Sequence, residues 1–396
     1  MTALPRRGFA LAASAAVLAV PLLAGCTDNA PSGTPGDDAT PNARALTVQA
    51  TDSECTVSAG TAPSGKLTFA VTNSGTQVNE FYLLGADGLR IIGEVENIGP
   101  GISRDLVLTA PAGSYFTACK PGMIGDGIRN TFAVSDSGED LTPQGDDKAL
   151  VDEANKNYSA YVRDQTEQLV SKTEAFVAAY KAGKDDEARA IYPVAREHWE
   201  RIETVAESFG DLDPKMDLRE ADLEKGQKWT GWHLIEKDLW PARAKDYTAL
   251  TTAERGEYAD DLMKNTNTLY DKTRTLTFTA DQIANGSRGL LDEVATGKVT
   301  GEEEYWSRTD LWDFQANVDG ARVGFDGLRP LLAKKDPALD KQIDEKFVAL
   351  QTLLDQQKSG DGFNYYDDIS ATDIKDLSNA VNALSEPLSK LAAAVV

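Results

Sequence analysis

The chain has 396 residues, of which 41% are hydrophobic and 26% charged, a balance that is typical of folded globular proteins. Its length suffices for two or three domains. The formal net charge of -23 at pH 7 argues against a nucleic-acid-binding protein, because phosphate backbones are bound by clustered Lys and Arg side chains. An acidic surface is compatible with gathering cations and equally with simple solubility, so charge alone does not decide the function.

The first 26 residues are predicted to be an export signal and not part of the fold. Two arginines at positions 6 and 7 precede an apolar run over residues 9–23, which ends in Leu23-Ala24-Gly25-Cys26. This ending resembles a bacterial lipobox, so Cys26 is the predicted lipidation site. The run is shorter than the roughly 20 residues that a membrane-spanning helix needs. We therefore expect an exported protein, lipid-anchored to the outer face of the cytoplasmic membrane, at the cell surface or in the periplasmic space.

Residues 27–44, rich in Pro, Gly, Asp and Thr, are predicted to be a flexible tether, and residues 45–135 a small β domain. Alternation of apolar and polar residues favours strands at 46–50, 66–71 and 104–108. Turn-forming residues cluster at 63–65, 73–75, 99–101 and 111–113. Short strands with such regular turns predict a sandwich of Greek-key type.

A polar linker is predicted over residues 136–147, and helical periodicity extends from residue 148 to 396. Within it we expect single helices at 188–209 and 254–285, among others, the first of them bent or begun at Pro193. Long helices joined by short loops predict an antiparallel bundle, in which facing helices often carry metal ligands. The predicted fold class is therefore multidomain, with a small all-β sandwich followed by an all-α helical bundle.

His233 is one of only two histidines, and Glu236 follows it by three positions, between Trp232 and Trp240. In a helix this spacing places the imidazole and the carboxylate on the same face. A buried ionised carboxylate costs free energy unless a cation compensates it. The segment therefore predicts a metal site.

Glu200 and Glu203 flank an apolar stripe in the preceding helical segment. Two carboxylates at i and i+3 beside a buried edge are typical of metal-binding bundles. The alternative is a solvated acidic face, since glutamates are common on helix surfaces. Asp217 is a further candidate ligand, and Arg219 is a candidate for orienting the carboxylates.

Two cysteines, Cys55 and Cys119, remain once Cys26 is assigned to lipidation. In an exported protein such a pair favours one disulfide, and a pair of metal thiolates is the alternative. The predicted β domain contains no histidine, which excludes a blue-copper site with two histidines and a cysteine.

Several motifs together are similar to the imelysin-like domain of EfeO-type iron-uptake proteins, over roughly residues 150–396. They are Trp199-Glu200-Arg201-Ile202-Glu203, Gly231-Trp232-His233-Leu234-Ile235-Glu236, Gly301-Glu302-Glu303-Glu304 and Ser307-Arg308-Thr309-Asp310-Leu311-Trp312-Asp313. The resemblance implies a metal site inside the bundle. Its implied ligands are Glu200, Glu203, Asp217, His233 and Glu236, supported by Arg219 and Asp310. Arg308 stands where the family often has a histidine, so the role of that histidine is not transferred.

The β domain resembles the cupredoxin-like domain that precedes the bundle in this family. The resemblance implies a second metal site, for copper or iron, at Cys55, Glu80, Cys119 and Met123. A Cys55–Cys119 disulfide remains the alternative to this site.

A site of carboxylates with one imidazole suits iron or manganese better than zinc or copper. The resemblance implies an extracytoplasmic component that binds Fe²⁺ or Fe³⁺ and delivers it to a permease of the EfeU type, with a haem peroxidase of the EfeB type as a further partner. We expect no enzymatic activity beyond a metal redox step in the β domain. A metallopeptidase is one alternative, although neither His-Glu-x-x-His nor His-x-x-Glu-His is present. A structural or polyanion-binding surface lipoprotein is the other.

Overall fold

The computed structural model of the protein describes residues 43–123, 125–141 and 144–396. The predicted lipidation site Cys26, the export signal and most of the predicted tether lie outside the described residues. Within them, strands between residues 45 and 135 are followed by a helical region that begins at residue 145. The prediction of a small all-β sandwich followed by an all-α bundle is therefore confirmed.

The β sandwich has the strands β1 (Ala45–Ala50), β2 (Cys55–Val57), β3 (Thr61–Pro63), β4 (Gly65–Asn73), β5 (Asn79–Leu84), β6 (Ile91–Ile98), β7 (Ser103–Ala110), β8 (Gly113–Cys119) and β9 (Ile128–Ser135). One sheet has the order β2-β1-β4-β7, and the other has the order β3-β9-β8-β5-β6. Buried residues alternate with more exposed ones along β1 and β4. Inward-facing side chains such as Phe69, Phe81 and Phe132 form the core between the sheets.

The helical region has the helices α1 (Gly145–Lys181), α2 (Asp185–Glu200), α3 (Glu203–Glu207), α4 (Asp213–Met216), α5 (Trp232–Leu239), α6 (Thr252–Thr273), α7 (Ala280–Thr296), α8 (Asp310–Lys335), α9 (Pro337–Asp355), α10 (Ala371–Leu388) and α11 (Leu391–Val395). A two-stranded ribbon of β10 (Lys358–Ser359) and β11 (Gly362–Phe363) follows α9. Helix α1 packs against α2, α6 and α8, and α7 packs against α8. No helix within the described residues has the length and apolar content needed to cross a membrane.

Two predicted helices are each divided in the structure. The segment predicted as one helix over 188–209 is broken after Glu200, where Ile202 has φ -133°. The side chain of Asn317, on α8, donates to the carbonyl oxygen of Glu200 at 2.8 Å and so supplies a partner at the end of α2. The segment predicted over 254–285 is divided between α6 and α7, and α7 begins with a capping box formed by Thr279 and Gln282.

The β sandwich packs directly on the helical region through β6 and β7. The Thr109 amide donates to the Asp281 carboxylate at 2.9 Å, and the Asn285 side chain donates to the Val107 carbonyl at 3.0 Å. The Ile91 amide donates to the carbonyl of Ser208 at 2.9 Å. These bonds place the outer face of β6 beside α3 and α7.

Candidate metal centre

The structure brings the five predicted ligands of the helical region together around one buried point. Glu200 is the last residue of α2, and Glu203 is the first residue of α3. Asp217 directly follows α4, and His233 and Glu236 lie one turn apart on α5. Glu303 and Glu304, which belong to one of the motifs above but were not predicted as ligands, join them from the loop before α8.

The donor atoms form three overlapping groups in which all atoms lie within 4.8 Å of one another. The groups are Asp217, His233 and Glu303; His233, Glu236 and Glu304; and Glu200, Glu203, Asp217 and Glu303. All of these side chains are buried. The arrangement is one continuous set of oxygen donors with a single imidazole at its middle.

Helix α5 carries the imidazole, and its position depends on the glycine before it. Gly231 has φ 93°, a backbone conformation that residues other than glycine rarely adopt. A Cβ at this position would overlap with the carbonyl oxygen of Met216. The close approach brings the start of α5 against the segment that ends in Asp217, so His233 and Asp217 face each other.

His233 has a donor atom that no described residue satisfies. Its Nδ1 lies 3.3 Å from the Glu236 carboxylate. Its Nε2 lies 3.4 Å from both Asp217 Oδ1 and Glu303 Oε1, without a hydrogen bond to either. A buried polar atom without a partner is costly. An ion between Nε2 and these two carboxylates would give Nε2 a partner.

The charge on His233 follows from its neighbours. Burial and the Arg196 guanidinium both oppose protonation of the imidazole. The nearby carboxylates of Glu236, Glu303 and Asp217 favour the charged imidazole, outweigh these two effects and raise the pKa of His233 to about 10. In the ion-free protein at neutral pH the imidazole is therefore protonated, and a cation must displace that proton to bind Nε2.

Backbone groups orient Glu236. Its Oε1 accepts from the amides of Trp306 and Ser307, at 2.8 and 2.6 Å, which directs Oε2 towards His233. The Ser307 hydroxyl in turn donates to Glu304 Oε2 at 2.6 Å. The loop before α8 therefore positions two of the carboxylates at once.

The two residues predicted to support the ligands lie next to Glu303 and Glu304. Arg219 Nη1 lies 3.5 Å from Glu303 Oε2. Asp310 Oδ1 accepts from the amide of Glu304 at 3.1 Å. Both therefore contact the outer side of the donor set.

Two buried cations that were not predicted from the sequence contact the carboxylates. Arg196 lies one turn before Glu200 on α2 and pairs with the carboxylates of Glu200, Asp217, Glu303, Glu304 and Asp313. Lys298 Nζ lies 2.9 Å from Glu200 and 2.8 Å from Glu203. Their sequence signals are weak: an Arg-x-x-x-Glu spacing for Arg196, and a lysine shortly before a run of glutamates for Lys298.

The centre contains more acidic groups than cations. Burial disfavours the charged lysine, but Glu200 and Glu203 more than compensate and raise the pKa of Lys298 well above its usual range. Burial likewise disfavours ionisation of Glu303, yet Lys298 and His233 lower its pKa well below the usual range. Burial and the neighbouring Glu236 carboxylate raise the pKa of Glu304. The centre therefore holds protons when no metal is bound, and a metal cation would replace some of them.

The predicted metal site of the β domain is wrong. Cys55 on β2 and Cys119 on β8 form a disulfide with an S–S distance of 2.05 Å, so neither sulfur is available as a thiolate ligand. Glu80 is buried and accepts from the Tyr82 hydroxyl at 2.7 Å, whereas 41% of Met123 is exposed. The disulfide, the alternative that the sequence left open, is the one that forms.

Further carboxylates lie between the β sandwich and the helices. Glu96 on β6, Glu207 on α3 and Glu293 on α7 approach within 4.8 Å of one another, and so do Glu203, Glu207 and Asp213. Burial and the nearby Glu80 raise the pKa of Glu94, also on β6, to about 8. We name Glu94, Glu96, Glu207 and Glu293 the interface carboxylates.

Comparisons with known proteins place these features in a family. The model of the imelysin family, also called peptidase M75, matches residues 154–391. A protein of Staphylococcus haemolyticus named Efem/EfeO family lipoprotein is 43% identical over 269 residues, covering 66% of this chain and 92% of that protein. The iron uptake system component EfeO of Escherichia coli O157:H7 is 36% identical over 347 residues, covering 87% of this chain and 89% of that protein. The protein of the same name from Yersinia pestis is 36% identical over 343 residues, covering 86% and 88%.

Proposed function

Because the chain belongs to the imelysin family and is of the EfeO type, we propose that it is the extracytoplasmic iron-binding component of an iron-uptake system. It captures iron at the buried centre and hands it to a membrane permease. The observation that carries the proposal is the unsatisfied, buried Nε2 of His233, which faces two carboxylates at 3.4 Å. The Escherichia coli and Yersinia pestis relatives, which are matched over 89% and 88% of their length, are named as components of iron uptake, which supports iron as the cargo.

The donor set favours iron on chemical grounds. The ion would be held by His233 Nε2, Asp217 and Glu303, with Glu236 and Glu304 beside them. Glu200 and Glu203 adjoin this position and add negative charge. Carboxylate oxygens with one imidazole suit Fe²⁺, Fe³⁺ or Mn²⁺ better than Cu²⁺ or Zn²⁺, which favour more nitrogen or sulfur. Since His233 gives up a proton when it binds the ion, a local fall in pH would favour release of the cargo.

We further propose that a lipid anchor holds the protein at the membrane, where it meets its partners. Cys26 would carry the lipid, and residues 27–44 would tether the folded domains to the outer face of the membrane, at the cell surface or in the periplasmic space. The lipobox and the relative named as a lipoprotein support this arrangement. The receiving partner would be a permease of the EfeU type, and a haem peroxidase of the EfeB type would act in the same system.

The family's peptidase label suggests a second function, but the geometry favours binding. Catalytic zinc sites usually combine three protein ligands with a position open to substrate. Here the imidazole and the surrounding carboxylates are all buried, so a polypeptide chain would not reach them in this conformation. We therefore propose a binding protein and not an enzyme.

The first test is metal affinity in the chain from residue 27 to 396, with iron, manganese, zinc and copper offered separately at near-neutral pH. We expect one iron ion per chain, and an affinity loss of at least about 100-fold in His233→Ala, because a direct ligand matters more than the residues that orient it. His198→Ala is the matched control, since His198 bonds to Gln165 instead of the centre and its loss should leave binding unchanged. Equal iron binding by the wild type and His233→Ala would refute the proposal.

A further inference from the structure

The Lys298 ammonium contacts two buried carboxylates, as a bound metal ion would. It lies in a short 3₁₀ turn, Lys298–Thr300, between Gly297 and Gly301, and its side chain is fully buried. Its Nζ contacts Glu200 Oε2 at 2.9 Å and Glu203 Oε2 at 2.8 Å. These are the two oxygens that the Asn317 side chain also approaches, at 3.1 Å each.

The donor groups divide into two halves that share two carboxylates. Asp217 and Glu303 belong to the half that contains His233, and they also belong to the half that contains Glu200 and Glu203. Carboxylates shared between two sets of donors are typical of dinuclear sites, in which two ions lie about 3.5–4 Å apart. Glutamates in i, i+3 pairs with histidine on facing helices are the usual source of such ligands in helical bundles.

The donor atoms of the two halves differ in the partners that they have within the protein. In the first half, His233 Nε2 has no hydrogen-bond partner among the described residues. In the second half, both glutamates already hold an ammonium at ion-pair distance. Arg196 contacts carboxylates of both halves, whereas Lys298 contacts only the Glu200 and Glu203 pair. The half with His233 therefore keeps an unsatisfied donor atom, and the other half holds an additional internal cation.

We propose that the Lys298 ammonium takes the place of a second metal ion and limits the centre to one. The inference rests on the proposed function, because it assumes that the His233 half binds metal. The single positive charge on Lys298 offsets one of the two carboxylate charges of Glu200 and Glu203, and no second metal then bridges through Asp217 and Glu303. The cargo is then one ion, held by the half of the donors that contains His233. Because no second ion shares its carboxylates, no bridge between two metal ions slows its release.

The test compares Mn²⁺ stoichiometry in the wild type and Lys298→Met, which keeps the length of the side chain and removes its charge. We expect one Mn²⁺ per chain in the wild type and two in Lys298→Met, with the electron paramagnetic resonance spectrum of an exchange-coupled pair only in the variant. The double variant Lys298→Met with Glu203→Gln is the matched control. It keeps the methionine, removes one second-half ligand and should return to one uncoupled ion.

Three outcomes would overturn the inference: two ions in the wild type, one ion in folded Lys298→Met, or two ions in the double variant. If Lys298→Met does not fold, Lys298→Gln replaces it, because it also removes the charge and keeps a polar side chain beside Glu200 and Glu203, and it should bind two Mn²⁺ per chain. One Mn²⁺ in folded Lys298→Gln would contradict the inference. Absence of any bound metal in the wild type would instead refute the proposed function.

Discussion

At the scale of single residues, the centre depends on the different surroundings of neighbouring groups. His233 is the only imidazole near the candidate ligands within the described residues, and its two nitrogens have different tasks. Nδ1 is directed by Glu236, whose other oxygen is held by two backbone amides. A second partner of a histidine ligand orients the ring and increases its basicity, so Nε2 is prepared for a cation.

Metal affinity should increase with pH because binding removes the proton from His233. The pKa of His233 in the ion-free protein is about 10, so at pH 6 to 8 the imidazole is protonated and each bound ion must release at least one proton. We expect Mn²⁺ affinity to rise about tenfold per pH unit between pH 6 and 8. Calorimetry in buffers of different ionisation enthalpy counts the released protons. An affinity that does not change over this range would contradict the assigned role of His233.

At the scale of elements, short helices and loops position the donors, whereas the long helices form the framework. Helices α3, α4 and α5 have five, four and eight residues, too short to be stable alone in water, so they depend on their packing. Trp232, Ile235 and Leu239 anchor α5 in the core. Gly231, which has no side chain, allows the start of α5 to lie close to the segment that ends in Asp217.

Gly231→Ala should destabilise the ion-free protein and weaken metal binding together. The added Cβ would overlap with the Met216 carbonyl at a positive φ, so we expect a loss of about 2–4 kcal/mol in the free energy of unfolding. Urea unfolding measures the first effect, and a Mn²⁺ titration measures the second. Gly256→Ala in α6 is the matched control, because no atom lies within 4 Å of its Cβ position, and it should be neutral or stabilising by up to about 1 kcal/mol. Wild-type stability in Gly231→Ala would show that α5 does not require this glycine.

At the scale of the whole molecule, the β sandwich brings acidic residues to the helical region. Glu94 and Glu96 on β6 face Glu207 and Glu293 on the helices, so ionisation of the interface carboxylates places like charges between two domains that pack together. Hydrogen bonds through Thr109 and Asn285 hold the same interface together. The stability of the domain contact should therefore depend on pH.

Glu94→Gln should stabilise the protein at pH 8 and have little effect at pH 5. Burial and Glu80 raise the pKa of Glu94 from 4.5 to about 8, so the folded state binds a proton that the unfolded state loses at lower pH. The free energy of unfolding of the wild type must then fall as pH rises from 4.5 towards 8. We expect a gain of about 1–2 kcal/mol in Glu94→Gln at pH 8.

Chemical unfolding in the presence of a chelator at both pH values measures this difference. Glu54→Gln is the control, because Glu54 is an exposed glutamate of the same domain. An equal gain in Glu94→Gln at pH 5 and pH 8 would exclude ionisation of Glu94 as the cause.

Much of the fold and part of the centre could be predicted from sequence because they depend on local patterns. The alternation along β1 and β4 and the helical periodicity from residue 148 each reflect the geometry of one element. The three-residue spacing of His233 and Glu236 places them on one face of α5, whatever packs around it. The sequence by itself therefore determined the order of the two domains and the position of His233 and Glu236 on the same face of α5.

Only the tertiary structure decided which distant groups meet. Glu303 and Glu304 reach the centre from the loop before α8, Arg196 from α2, and Lys298 from the 3₁₀ turn after α7, and no local period relates them to His233. The break between Glu200 and Glu203 coincides with the approach of α8, whose Asn317 bonds to the Glu200 carbonyl. The Cys55–Cys119 disulfide likewise required β2 and β8 to lie side by side in space. Local chemistry determines how a segment folds, but the balance of charge at a buried point is set by long-range packing.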